Sequence, residues 1–399
     1  MKALGDLKVL DLSRVLAGPF STQILSDLGA TIWKIESPRG DDTRRLGPPF
    51  METESAYFLS INRGKKSICV NLKDERGQRV VQRMAAEADI IVENFKTGDL
   101  ARYGLDYASI ERINPGIVYA SITGYGHTGP RAYEPGVDTS LQGMIGLMSV
   151  TGEPDRPPSK SGIASIDLLT GTLAVTGILV ALRERDRTGL GQHIDLSLFD
   201  TGIMGMVNVA QNYIATGEPP QRYGSAHPQI CPYQTFEAKD GRWFMLAVMN
   251  DGMFEKLAPL IDLPTIHEDP RFETNAARLA HKDELIPVLA ERFRTKDRQE
   301  WVDALTEVGI TSGPINTFDE TLADRQAKAR EVVWNVEHPT IGDLPVMANS
   351  LQYMSRTPAA PQGPPPLLGE HTREVLSQFL SDDELDEYER DGVIGANTA

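Results

Sequence analysis

Over the first 125 residues, short apolar runs alternate with helical patterns, and that alternation restricts the chain to an open α/β fold. The runs "LKVLDLS" (7–13), "ATIWKIE" (30–36), "KSICVNL" (66–72), "ADIIVENF" (88–95) and "GIVYASIT" (116–123) read as strands. Between the first two, "PFSTQILSDLG" has helical spacing and stops at Gly29; "DERGQRVVQRMAAEA" is a helix between the third and fourth. Strands joined through helices pair in parallel, so a largely parallel sheet with helices on its faces is expected. Helical patterns dominate from about 138 to 217. Gly224 to about Thr317 reads as a second unit, with a strand at 243–250, a helix from Gly252, another across 283–308, and "GITSGPINT" as a returning strand. The Pro-rich "SRTPAAPQGPPPLLGEHT" (355–372) is expected to run extended over the surface. After His371 come a short helix and the acidic "SDDELDEYERDG".

A chain of 399 residues suggests two domains. Cys69 and Cys231 are its only cysteines and lie far apart, which fits a reducing compartment without a disulfide framework or zinc site. Asp6 and Asp11 interrupt what would be the apolar stretch of a signal peptide, and charged residues break every apolar run before bilayer length. A cytoplasmic protein with no membrane partner is expected. A net charge of −16 argues against nucleic acid as a partner. The charge is uneven: residues 1–102 hold 16 Lys and Arg against 14 Asp and Glu, leaving −18 on the remainder. A small polyanion would find its cations in that first stretch, although any one of them is more simply a solvated helix face.

"GYGHTG" (124–129) has the spacing of a dinucleotide loop, but Pro130 and Pro135 follow at once where a helix must begin, so it is rejected as a nicotinamide site. The seven histidines, His127, His193, His227, His267, His281, His338 and His371, show no metal-ligand spacing. There is no phosphate-binding P-loop and no G-x-S-x-G elbow.

The segment "ASIDLLTGTLAVTGILVALRERDRTGLGQ" (164–192) carries the main chemical signal. A lone acid, Asp167, stands at the front of an apolar helix running from Ser165 to Arg183, with no base nearby in sequence. Helical spacing puts Gly171, Ala174, Gly177 or Ile178, and Ala181 on its face. A face of such small side chains admits close approach by a backbone or a ligand. The helix dipole favours a charged acid in the first turn. As a simple cap it would contribute about 1 kcal/mol. Ser165 already offers a cap, however, and the small face implies that something docks beside the carboxylate. An ionised acid in that position is a candidate nucleophile.

This segment, continued through "HIDLSLFD", resembles the signature of the class III CoA-transferases. So do "LSRVLAGPFSTQILSDLGATIWKIESPRGDDTR", "NRGKKSICVNLKDERG", "VENFKTGDLARYGLDY", "ITGYGHTGP", the "VDTSLQG" helix and "LLGEHTREVL", in the family's order. The resemblance implies a large Rossmann-like domain built from both chain ends, a small inserted α+β domain, and an interlocked dimer. On this sequence that means 1–200 for the large domain, a linker at 201–224, the small domain at 225–320, and the return linker and remainder of the large domain at 321–399. It implies Asp167 as the catalytic nucleophile, passing through an aspartyl–acyl anhydride and an aspartyl–CoA thioester. CoA is then a co-substrate, with no permanently bound cofactor and no metal. The carried-over CoA positions are Leu16, Ala17, Leu72, Lys73, Asn94, Phe95, Lys96 and Arg102. Family members that transfer formyl groups have an Arg where this chain has Ser37, which leaves Arg39 as its substitute.

Racemases of the same superfamily use a His before the Asp of "GHD"; the matching "PGVD" has Val137 there, so racemisation is the runner-up, and a non-catalytic CoA-binding relative comes third. "AVMNDGMFEKL" has only Gly252 where the formyl enzymes have a polyglycine loop. "RYGSAHPQICPYQTFEAKDG" resembles members that move CoA between dicarboxylates, with succinyl-CoA as donor. Asp138, Gln142 and His227 are candidate substrate contacts. His227 meets a remote carboxylate or holds its own loop with equal weight. The acceptor stays open among succinate, glutarate, malate, mesaconate, itaconate and larger acids.

Overall fold

The apolar runs of the first 125 residues do form strands, and they meet in one parallel sheet. A computed structural model describes residues 2–395. The strands are β1 (Lys8–Asp11), β2 (Thr31–Glu36), β3 (Lys65–Cys69), β4 (Ile90–Glu93) and β5 (Val118–Thr123), joined by β6 (Gln192–Ser197). Their order is β3-β2-β1-β4-β5-β6 with every neighbouring pair parallel. The direction of winding reverses between β1 and β4, and in open sheets of this kind ligands bind beyond the strand ends at such a reversal. The sixth strand falls inside a stretch whose patterns read as helical. It is an edge strand with only Ser197 buried, so it lacks an apolar run. Gly191 lets it enter the sheet: a Cβ there would lie 1.8 Å from the Ile117 carbonyl oxygen.

The main helices around this sheet are α1 (Ala17–Asp27), α2 (Glu75–Glu87), α3 (Tyr107–Ile113), α4 (Asp138–Met144) and α5 (Ser165–Thr188). The last continues five residues past Arg183. Its buried residues, among them Ile166, Gly171, Ala174, Ile178 and Ala181, recur at helical spacing and pack on α1, β5 and β6. The partner of the small-residue face is thus α1: a Cβ on Gly171 would stand 2.6 Å from the Ala17 carbonyl oxygen. Although no bilayer-length run was expected, α5 is long and apolar enough to cross a membrane by length and composition; its packing makes it a core helix.

The opposite sheet face is covered by α2, by α3 and by the C-terminal helices Thr372–Leu376 and Asp382–Arg390. The acidic "SDDELDEYERDG" is therefore a helix whose Leu385 and Tyr388 reach the core. The Pro-rich 355–372 segment is irregular and is tied along its length, with the Pro364 carbonyl accepting from Gly64 and the Pro366 carbonyl from Arg44. A hairpin of Val333–His338 and Gly342–Met347 was not foreseen.

The chain divides into two compact units. One comprises Met1–Leu147, Ser161–Ala215 and Arg330–Ala399, and so holds both ends of the chain. The other comprises Met148–Lys160 and Thr216–Ala329. Residues 148–160 thus leave the large stretch and join the second unit, while 201–215 belong to the first as helices. The second unit has an antiparallel sheet of Tyr233–Glu237, Trp243–Ala247 and Thr311–Pro314 around a core rich in aromatic rings. The helix expected over 283–308 is two, Lys282–Phe293 and Arg298–Glu307, because Asp297 and Glu300 form a capping box that starts a new helix.

Candidate active site

At the reversal of the sheet, β1 ends in a buried charge cluster. Asp11 Oδ1 accepts from the Ser13 N–H at 2.9 Å and the Ser13 hydroxyl at 2.5 Å. Its Oδ2 accepts from the Thr22 hydroxyl at 2.6 Å and the Lys65 ammonium at 3.1 Å. Lys34 donates to the Ser13 carbonyl and to Asp41 Oδ2, both at 3.0 Å. Burial by itself pushes the Asp11 carboxyl up; Lys65, Lys34 and the two hydroxyls outweigh it and bring it down to about 2. Asp41 also accepts from the Val15 N–H at 3.4 Å. The loop is held so firmly that Val15, a β-branched residue, sits at φ 69°. Directly after it α1 begins, with Leu16 at its N-cap and no side chain capping its first turn. From β4, the Asn94 side chain clasps Arg14, accepting its N–H at 2.8 Å and donating to its carbonyl at 2.6 Å.

Two cavities adjoin along this loop. The larger, about 420 Å³, is lined by Leu16, Ala17, Asn94, Lys96, Val137 and Asp167 among others. The smaller, about 170 Å³, is lined by Ser37, Leu72 and Lys73. Arg14 and Phe95 line both. The fold thus brings together seven of the eight expected CoA positions. Arg102 is the exception: it lies outside both linings, 61 % exposed, and pairs with Asp99 at 3.1 Å. Arg39 also lies outside, and the cations that line the smaller cavity with Ser37 are Lys73 and Arg14, the latter passed over in the sequence.

Asp167 opens onto the larger cavity, and its helix is capped from a distance. Asp138 Oδ2 accepts from the Ile166 N–H at 2.8 Å and the Asp167 N–H at 3.2 Å. Gln142 Nε2 donates to Asp138 Oδ1 at 2.6 Å, and Gln142 Oε1 accepts from the Ser161 N–H at 2.8 Å. Ser165, expected as the cap, caps nothing; its hydroxyl is buried without a partner. Of the two expected substrate contacts, Asp138 lines the larger cavity while both its oxygens also accept from the protein, and Gln142 is fully buried behind it. The expectation of a dipole-favoured, readily ionised Asp167 also changes. Burial, and secondarily the Asp138 carboxylate, push its carboxyl up to about 7. Tyr57, another residue missed in the sequence, feels the same charges: burial and the Asp167, Asp41 and Asp138 carboxylates raise its hydroxyl pKa.

His227 belongs to the second unit, where its Nδ1 accepts from the Gln229 N–H at 3.1 Å and its ring stacks on Tyr233. The "GYGHTG" loop starts no helix; Gly124 folds back on Gly136, where a Cβ on Gly124 would meet the Gly136 Cα at 2.7 Å. Among the described residues no group of His, Cys, Asp and Glu could hold a metal ion.

Residues 4–372 match the family model described as CoA-transferase family III. A succinyl-CoA:glutarate CoA-transferase of Mus musculus is 42% identical over 96% of this chain and 88% of its own. A succinate–glutarate CoA-transferase of Agrobacterium fabrum is 42% identical over 94% of this chain and 95% of its own. A crystal structure of a CAIB/BAIF family protein from Brucella suis superposes with a TM-score of 0.86 at 44% identity, covering 94% of this chain and 99% of that one. With a match of this extent, the chain belongs to CoA-transferase family III and is an enzyme that transfers CoA.

Proposed function

We propose that the enzyme moves CoA from succinyl-CoA to a second dicarboxylic acid, with Asp167 as the nucleophile. The observation that carries this reading is the Asp167 carboxyl, open to the cavity, without a cation partner among the described residues and held up to about 7, where it is basic yet ionised in part at neutral pH. The two relatives named for succinate and glutarate supply the substrate class. The Asp167 carboxylate adds to the thioester carbon and the C–S bond breaks, giving a mixed anhydride and CoA thiolate. The thiolate then adds to the Asp167 carbonyl of the anhydride, the donor acid leaves, and an aspartyl–CoA thioester remains. The acceptor carboxylate runs the two steps in reverse. Each tetrahedral intermediate carries an oxyanion, and the uncapped first turn of α1 beside Leu16 and Ala17 offers N–H groups to it.

Arg14, Lys73 and Lys96 are the cations that line the two cavities, and they suit the phosphates of CoA. Val137, 65 % exposed in the larger cavity, offers no titratable group for proton abstraction, which favours transfer over racemisation. The helices Leu198–Gly205 and Val207–Thr216 expose Ile203, Met204, Val207 and Ile214, an apolar surface suited to a second copy in an interlocked dimer. The two cysteines are buried and free, as suits a reducing cytoplasm.

The test is a screen of succinyl-CoA against a panel of dicarboxylic acids, read by CoA-ester mass, together with hydroxylamine trapping. Wild type should yield new CoA esters and a hydroxamate on Asp167; Asp167→Ala should yield neither. Transfer surviving in Asp167→Ala would end the proposal.

A further inference from the structure

A third cavity, of about 320 Å³, lies on the sheet face away from α5 and shares only Lys96 and Thr97 with the larger cavity. The strand ends build its floor. Glu93 of β4 pairs in register with Ser121 of β5, and Tyr119 of β5 with His193 of β6, so all four side chains project to one side. Leu100, Ala101, Tyr107 and Ala108 form apolar walls.

The floor is electrostatically incomplete. Glu93 is 3 % exposed, its Oε2 accepts from the Phe95 N–H at 2.8 Å, and it forms no ion pair among the described residues. Burial holds its carboxyl up to about 7, with the Ser121 hydroxyl and the Phe95 N–H opposing only in part. Two further polar atoms in the lining, Thr97 Oγ1 and His127 Nε2, are buried without any hydrogen-bond partner. Buried polar atoms are rarely left so, because a hydrogen bond to water is lost with none gained in its place. We propose that this cavity binds a small primary ammonium compound with a short apolar body, held by Glu93, Thr97 and His127. An ammonium group has three N–H donors, and these three residues offer it a carboxylate, a hydroxyl oxygen and an imidazole nitrogen. The rings of Tyr107 and Tyr119 add cation–π attraction.

The other charged groups around the cavity favour the same choice. Asp106 lines it, and Asp195 accepts the His127 N–H at 2.9 Å, so an anion would meet negative charge on both sides. Burial, and after it the neighbouring His127, lower the His193 imidazole pKa below its usual value, and its Nε2 lies 2.9 Å from the Ser121 hydroxyl. Lys96 is the opposing cation. It lies on the wall shared with the larger cavity and is exposed, so its ammonium is free to stay on the CoA side.

The experiment is calorimetric titration of the whole chain with n-butylammonium, n-butanol and butyrate. At about pH 8 the amine should bind at least about tenfold more tightly than the alcohol, with butyrate weakest. That preference should shrink at about pH 6, where Glu93 is protonated. Glu93→Gln should abolish the preference and its pH dependence. Thr97→Val should weaken amine binding severalfold, and His127→Phe, on the wall that the larger cavity does not share, carries the test if Glu93→Gln melts early. Amine addition should also shift the His127 imidazole resonance. Equal binding of amine and alcohol at the higher pH would overturn the proposal. So would amine binding that saturating CoA thioester removes and that Glu93→Gln and His127→Phe leave untouched, since those two residues line the third cavity alone and such a result would place the amine in the catalytic cavity.

Discussion

Replacing Asp167 with Asn should make the protein more stable, and only where the pH is high enough. In the unfolded chain this carboxyl ionises near 3.8, and in the folded chain near 7. Between those values the folded state keeps a proton that the unfolded state has released, so stability falls as pH rises through the window. The full cost is present above about pH 7 and absent below about pH 4. A displacement of that size corresponds to about 4 kcal/mol. Solvent reaches the side chain through the cavity, so roughly half of that is the realistic figure. Asn has nearly the same shape and never ionises. Calorimetric melts of wild type and Asp167→Asn across pH 4 to 8 should therefore coincide at the acid end and separate by a few degrees at the neutral end, with the variant higher. A difference that stays constant with pH would refute the reasoning, because it would reflect packing rather than the charge. A variant less stable than wild type at about pH 8 would refute it outright.

Asp138→Asn removes the like charge from beside Asp167, so the acid limb of the kcat/KM profile should move down by roughly 1 pH unit. It also sets the new amide against Gln142 Nε2, so the added exchange Gln142→Glu should recover lost stability without restoring the original limb; an unmoved limb in Asp138→Asn would show that the two carboxylates do not interact. Lys73→Ala and Lys96→Ala should each raise KM for acyl-CoA severalfold with little change in kcat, because phosphate contacts are equal in ground and transition states. A fall in kcat at unchanged KM would mean that CoA lies elsewhere.

The sheet was legible wherever burial on both faces demanded a continuous apolar run, as in "ADIIVENF". It was illegible where a strand sits at an edge: "QHIDLS" alternates polar residues and reads as part of the helical stretch around it. Asp167 was legible for a local reason, being an acid alone at the head of a helix whose small residues recur every three or four positions. What those residues face was not local. Gly171 answers to Ala17, and the Asp167 N–H to a carboxylate 29 positions earlier. Nothing near Ser165 in the sequence shows that its cap role is taken from another helix. The seven expected positions that line the two cavities followed from motif order, whereas Arg102, placed by the same motifs, pairs with Asp99 outside them.

The basic residues of the first hundred positions show most clearly why charge must be read in space. Their slight excess suggested a polyanion, yet Lys34, Lys65, Arg44 and Arg63 are in buried ion pairs with Asp41, Asp11, Glu36 and Asp27. The consequence for Asp167 lies in where those cations are absent. Asp11 ends β1 and Asp167 lines the cavity beside the loop that follows it, and burial pushes both upward. Two lysines bring the first down to about 2; the second has a carboxylate as neighbour and stays near 7. A carboxylate held like Asp11 is too weak a base to attack a thioester at a useful rate. One left unpaired keeps the basicity that the proposed attack needs, at a cost in stability. Moving a cation next to Asp167 would thus stabilise the protein and disable it together.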